Sequence, residues 1–311
     1  METCTYSNEE LVRFDELLRS SLGKLPSISM PLVKDRAIYR CRKHTLPFYS
    51  FHHEHEISFR TDLENIQQFG RCNVPNTSVF YGSITSGKVI RDGYDISILE
   101  TTGLHDNGDV GSHKEGYELF TFGMWQATRE LNIFVVPPSK NHADRSDLNK
   151  EIKDQFKGLC DAHELSEQHI KFYNLMGDEF AKVVQPNRHM EYGLTSVFSE
   201  IILGLPGVDG IAYPSVKAEL AGFNAVFNPD IVDTSFELKR VGIGDLFKFK
   251  NHFMFRHQKV AEYIKGKPLV YNDAPAKSKI SLKEVIENYK KVDDIDEHYI
   301  INQLLNYFVT H

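Results

Sequence analysis

The chain opens on a helical rhythm. Leu11, Phe14, Leu17, Leu18 and Leu22 recur three and four positions apart, and Ser7 with Glu10 stands ahead of them as a capping-box pair. An amphipathic helix is therefore predicted at the start. From residue 37 to about residue 99 the pattern changes to short apolar runs broken by turns, AIYRCRK, EISFR, SVFYGSI and YDISILE, which predict a β-rich section. Residues 103–116, GLHDNGDVGSHKEG, are polar and glycine-rich and read as a surface loop or as a lid beside a site.

Beyond that loop the spacing predicts a helix over 117–131 and a buried strand, NIFVVP, over 132–137. Helices follow near 147–161, 165–184 and 194–203. After Gly207 the strands return with GIAYPS, FNAVFN and a long alternating stretch from 235 to about 255. The final stretch, SLKEVIENYKKVDDIDEHYIINQLLNYFVTH, reads as amphipathic helix, with Ile300, Leu304, Leu305 and Phe308 suited to packing. The predicted β-rich core is thus split by a helical segment, and no internal repeat interrupts it.

Composition changes this picture little. At 311 residues, 41% hydrophobic and 25% charged, the chain matches ordinary soluble folded proteins. The net charge of -7 speaks against direct nucleic-acid binding, which needs a basic face. Apolar runs such as 96–99 and 134–136 fall far short of the roughly 20 residues that span a bilayer, so no membrane contact is expected. The N-terminal METCTYSNEEL has neither a basic region nor an apolar segment, so a cytoplasmic protein is expected. The four cysteines (Cys4, Cys41, Cys72, Cys160) form no C-x-x-C pair, which fits reduced thiols better than disulfides or a zinc site.

Two stretches carry candidate chemistry. FGRCNVPNTSVFYGS, residues 69–83, runs from a glycine and arginine through a proline-containing turn into a strand holding Tyr81. GVDGIAYPSVKAELAGFNAVFNP, residues 207–229, has a strand ending in Tyr-Pro-Ser, a short loop, and an asparagine opening the next strand. Together these resemble the two signatures of the RES domain family, the NAD-degrading, ADP-ribosyltransferase-like toxins of toxin–antitoxin systems. The matching positions are Arg71, Tyr81, Ser215 and Asn224. The acidic member is assigned to Glu100 at the end of YDISILE, with Asp92 as fallback; the family's glutamate sits nearer its tyrosine, so SGKVIRDG is read as an added hairpin.

The resemblance implies an α+β fold of ADP-ribosyltransferase type, with mostly antiparallel sheets around an NAD cleft. It implies one catalytic unit over residues 1–311: an N-terminal helical extension (1–35), a core (36–260) with a helical insertion at about 104–205, and a C-terminal helical segment (261–311). It also implies an NAD-consuming enzyme, an NAD phosphorylase or glycohydrolase acting as a toxin, with NAD as substrate and no cofactor or metal. Inorganic phosphate and a cognate antitoxin are the further partners expected. The two other readings are transfer of ADP-ribose to a protein or small acceptor, and an inactive module that binds NAD or a partner.

The residue types suit that chemistry on their own terms. Breaking the nicotinamide–ribose bond builds an oxocarbenium-like cation that a carboxylate stabilises, a role for Glu100. A guanidinium grips a diphosphate through two parallel hydrogen bonds, a role for Arg71 with Arg40 and Arg60 in reserve. Tyr81 offers a ring to stack on the nicotinamide end. Ser215 and Asn224 offer hydrogen bonds to ribose hydroxyls or the carboxamide. Each also has a plain structural reading: a core tyrosine, a solvated arginine, turn-forming polar residues.

Three other patterns are weaker. GSITSGK, residues 82–88, has P-loop spacing, but Val89 stands where Ser or Thr is needed and a turn and strand are expected next. HHEHE, residues 52–56, would set His53 and His55 on one strand face but lacks the spacing of a metal motif. No G-x-G-x-x-G is present, so a dinucleotide would not be held in the Rossmann manner.

Overall fold

The computed structural model describes residues 6–21, 28–44, 51–84, 92–104, 115–185, 187–220, 222–249, 252–275 and 281–293. Within them the chain forms, in order, α1 (Asn8–Ser21), β1 (Ser29–Leu32), β2 (Ala37–Lys43), β3 (Phe80–Ile84), α2 (Asp92–Thr101), β4 (Gly116–Ala127) and β5 (Leu131–Val135). Then come α3 (Asp147–Ala162), α4 (Glu167–Ala181), α5 (Gly193–Leu203), β6 (Gly210–Pro214), β7 (Phe223–Phe227), α6 (Pro229–Ser235), β8 (Phe236–Phe249), β9 (His252–Glu262), β10 (Asn272–Asp273) and α7 (Leu282–Asp293). The class is α+β with mostly antiparallel strand pairing. No helix among the described residues is long and apolar enough to cross a membrane.

The chain divides into two compact units: Met1–Ile38, Phe59–Glu100 and Gln126–Glu237 form the first, and Tyr39–Ser58, Thr101–Trp125 and Leu238–His311 the second. In the first, the strand order is β1-β5-β6-β7-β3, with β5 and β6 parallel and the other neighbours antiparallel. Helix α5 is buried along nearly its whole length, with Glu200 exposed, as expected of a helix apolar on every side. Gly193 at its start lets Leu11 of α1 approach, since a Cβ there would lie 2.8 Å from the leucine Cδ1. Phe134, Phe180, Phe198, Tyr213 and Val226 belong to the core these helices form over the sheet.

The second unit has the strand order β2-β4-β8-β9-β10. Strands β8 and β9 make a long antiparallel hairpin with a register shift between Ile243 and Gly244. On one face Tyr117, Leu119, Ile243, Phe247 and Phe249 pack under Val285 and Tyr289 of α7. On β8, Gly242 and Gly244 leave room for the rings of Phe122 and Phe255, which would come within 2.0 Å and 2.3 Å of an added Cβ.

The helical rhythm at the start, the helices near 147–161, 165–184 and 194–203, and the strands at AIYRCRK, SVFYGSI, NIFVVP, GIAYPS and FNAVFN all correspond to described elements. Three expectations are corrected. YDISILE is the body of helix α2 instead of a strand. Its alternating Tyr94, Ile96 and Ile98 are buried, but so are Gly93 and Ser97, so burial wraps round the element and alternation loses its meaning. Ile96 also occupies the space beside Gly222, where an added Cβ would lie 2.0 Å from its Cδ1.

Residues 117–131 form β4, a turn and the start of β5 in place of a helix. Most of β4 is buried on both faces, which yields a near-continuous apolar run that period alone cannot assign. Its Tyr117, Phe120, Thr121, Phe122 and Trp125 favour strand. The insertion expected at about 104–205 therefore carries two sheet strands as well as α3, α4 and α5. Finally, EISFR is not a strand: Glu56 accepts the backbone N–H groups of His52 (2.7 Å) and His53 (2.8 Å), winding residues Glu54–Ile57 into a 3₁₀ turn.

Cys4, Leu22, residues 105–114 of the polar loop, Lys88 and Val89 of the P-loop-like run, and Ile300, Leu304, Leu305 and Phe308 lie outside the described residues. The next described element after GSITSGK is helix α2.

Candidate active site

Strand pairing assembles the site. Tyr213 of β6 pairs with Asn224 of β7, and Asn224 pairs with Ser83 of β3. Opposite residues in antiparallel strands share a face, so these three side chains form a row across the sheet. Tyr81, two residues before Ser83, is on the same face and pairs with Val226.

Glu100 reaches this row from the last turn of α2. Its Oε1 accepts from Ser215 Oγ at 2.5 Å and from Asn224 Nδ2 at 2.7 Å. The amide oxygen of Asn224 in turn accepts from Ser83 Oγ at 2.9 Å. No hydrogen bond falls on Oε2 of Glu100 among the described residues, so one carboxylate oxygen is held and the other is not. A carboxylate at a helix C-terminus faces the negative end of the helix dipole, at a cost of about 0.3–1 kcal/mol. Two hydrogen bonds to a charged acceptor, each worth roughly 1.5–3 kcal/mol, offset that cost.

Ser215 is held as firmly as it holds. Its N–H donates to Gly222 O (2.7 Å), its carbonyl accepts from Leu220 N (2.8 Å), and its Oγ accepts from Ala218 N (3.2 Å). The loop it opens carries Glu219 and Leu220 at φ of 52° and 64°, a left-handed conformation that a leucine rarely adopts. Asn149 of α3 braces it through Nδ2 to the Leu220 carbonyl at 2.9 Å.

Tyr81 faces a loop. Its hydroxyl accepts from Cys72 N–H at 2.9 Å and donates to Asn73 Oδ1 at 2.9 Å. Gly70 is required for this closure, because an added Cβ would lie 2.2 Å from Asn73 Oδ1. Burial, with the neighbouring Cys72 next, holds the Tyr81 hydroxyl well above its usual titration range, and burial does the same for Tyr213. The Cys72 thiol is pushed up to about 12 by burial. These groups stay neutral near pH 7.

Arg71 points at the C-terminus of α4. Nη1 donates to the carbonyls of Glu179 (3.4 Å) and Phe180 (2.6 Å), Nη2 to that of Lys182 (3.0 Å), and the guanidinium carbon lies 4.9 Å from the centre of the Tyr192 ring. The end-on edge thus caps orphan helix carbonyls. Among the described residues Nε carries no hydrogen bond, and Nη2 carries one. Nε with Nη2 forms the side-on edge, one of the edges through which a guanidinium grips a phosphate by two parallel bonds.

Glu100, Ser215 and Asn224 are therefore brought together, with Ser83 as a fourth member. Arg71 and Tyr81 sit on one loop–strand unit joined through Cys72 and Asn73. Arg40 lies on β2 in the second unit. Arg60 is exposed and paired with Asp62. The side chain of Asp92 lies outside the described residues. His53 and His55 stack with ring centres 5.5 Å apart, and the hydroxyl of Tyr263 donates to Glu54. Among the described residues no three His, Cys, Asp or Glu side chains are grouped to hold a metal ion.

Sequence reading missed Ser83, although its signal was present: two residues after Tyr81, it must share that face. Tyr192 and the α4 carbonyls had no signal, since more than one hundred residues separate them from Arg71. Compared with known proteins, no family model matches this chain and no curated protein matches it, so the likeness to the RES family stands on these residues alone.

Proposed function

We propose that this chain consumes NAD by breaking its nicotinamide–ribose bond, on an α+β scaffold of the ADP-ribosyltransferase kind. The observation that carries the reading is the half-held carboxylate of Glu100, with Oε1 fixed by Ser215 and Asn224 and Oε2 unengaged among the described residues. As the C1′–N bond breaks, its electron pair leaves with nicotinamide, and Oε2 stabilises the cation left on the ribose. An oxygen of phosphate, water or a protein side chain then bonds to C1′ and gives up its proton.

Arg71 supports the reading as diphosphate anchor: its end-on edge is fixed on α4, so the side-on edge is oriented before substrate arrives, which lowers the ordering cost of binding. Tyr81 contributes its ring, because its hydroxyl is engaged in the loop. Ser215 and Asn224 serve the carboxylate instead of the ribose. Unrestrained loss of NAD would harm the cell that makes the enzyme, so the reading carries with it a toxin role and an antitoxin that neutralises it.

The test is to incubate the purified protein with NAD, with and without inorganic phosphate, and to follow nicotinamide release while weighing the ribose product. ADP-ribose phosphate, free ADP-ribose or a modified protein would name the acceptor. No nicotinamide release in any of these conditions sinks the reading.

A further inference from the structure

The carboxamide of an asparagine can turn over and present either its oxygen or its NH2 group to the same neighbour. At Asn224 that choice decides whether Glu100 meets a donor or a second acceptor. The Glu100 anion favours the donor, but the amide oxygen then needs a donor of its own. Asn224 is only 6% exposed, so bulk water is poorly placed to serve. Ser83, itself 2% exposed, supplies that donor from the paired position on β3, at 2.9 Å.

We propose that Ser83 is a positioning residue for Glu100, acting through Asn224. Its hydroxyl fixes the amide with the NH2 group aimed at Oε1, and so leaves Oε2 for the reactant. Ser215 cannot do this alone, because a single donor fixes a distance but leaves the carboxylate free to rotate about it. Two donors on one oxygen from different elements remove that freedom, and hydrogen bonds in a chain polarise and strengthen one another. Removing the Ser83 hydroxyl strands a buried acceptor, which the amide relieves by turning or swinging away and so withdraws its NH2 from Glu100. The proposal rests on Glu100 being the reacting carboxylate; the amide geometry can be read without that assumption.

The experiment uses the full chain with Ser83→Ala and Ser83→Thr. The side-chain amide pair of Asn224 is observed by ¹H–¹⁵N correlation and assigned by its disappearance in Asn224→Ala. In Ser83→Ala the pair is expected to shift and its exchange with water to quicken about tenfold, the loss of one buried hydrogen bond. Ser83→Thr, which keeps the hydroxyl, is expected to restore both. With NAD, kcat should fall about tenfold in Ser83→Ala while KM holds, because the amide acts on the reacting group and not on binding. An unchanged amide pair in folded Ser83→Ala overturns the proposal, as does an altered pair with kcat intact. If the pair responds as expected but the unaltered chain releases no nicotinamide, the link from Ser83 to Glu100 stands and the NAD reading is what fails.

Discussion

Two carboxylates, one in each compact unit, show opposite uses of the same group. In the second unit Asp245 is wholly buried, and both its oxygens are saturated: Tyr117 and Gln258 donate to Oδ1, and the Nε and Nη2 of Arg256 donate to Oδ2. In the first unit Glu100 is partly exposed, takes two donors on Oε1 and none on Oε2 among the described residues. A carboxylate with every lone-pair direction filled is a strut: it fixes strands and has nothing left to offer a ligand. One that is oriented yet half-used is prepared to meet a charge that forms later.

The contrast is broken most directly by removing each charge in turn. Glu100→Gln keeps the shape and the donors' neighbour but loses the anion, and on the proposed function NAD cleavage should fall by roughly 10²–10³-fold, with thermal unfolding little changed. Full activity in a folded Glu100→Gln would remove the reason for singling this residue out. Asp245→Ala should do the reverse. It strands the Arg256 guanidinium and should cost about 3 kcal/mol in urea unfolding, the lower end for a broken buried pair because Arg256 is 21% exposed. Stability unaffected by Asp245→Ala would show that saturation is not what distinguishes a strut.

Smaller effects sharpen the picture. Arg71→Lys loses the planar fork that caps α4 while keeping the charge. We expect about 1–2 kcal/mol of lost stability and a KM for NAD raised roughly tenfold; a KM that holds would mean the side-on guanidinium edge does not touch substrate.

The mildest prediction concerns alkaline pH. The Cys72 thiol, 1% exposed, titrates near 12 in the folded chain against about 8.5 when unfolded. The unfolded state therefore releases this proton first, so the contribution of Cys72 to stability is complete below about pH 8.5 and declines as pH rises from there toward 12. Cys72→Ala should flatten that part of the stability profile, and Cys72 should resist alkylation in the native protein at pH 8. Rapid native labelling at Cys72 would contradict the burial on which this rests.

Much of the architecture can be read from the chain alone, and the reason differs by element. Helices α1, α3 and α4 have one buried stripe, so a period near 3.6 survives in the sequence. Strands β6 and β7 are short apolar runs, too short for a helix and bounded by turns. Strand β4 and helix α2 are buried on more than one side, and there local pattern carries no decision. Both are misread for that one reason.

The site divides along the same line. By itself the sequence offered Arg71, Tyr81, Glu100, Ser215 and Asn224 as candidates through their resemblance to the RES signatures, with Asp92 as fallback for the acidic member. It also placed Ser215 and Asn224 at adjoining strand ends, because a short loop between two apolar runs can do little else. Only the tertiary structure decided that Glu100 arrives on a helix instead of a strand, that Ser215 and Asn224 converge on its one oxygen, that Ser83 completes the chain, and that Arg71 caps α4. Those facts depend on strand register and on contacts between segments more than one hundred residues apart, and local propensity does not encode which distant partner closes a hydrogen bond.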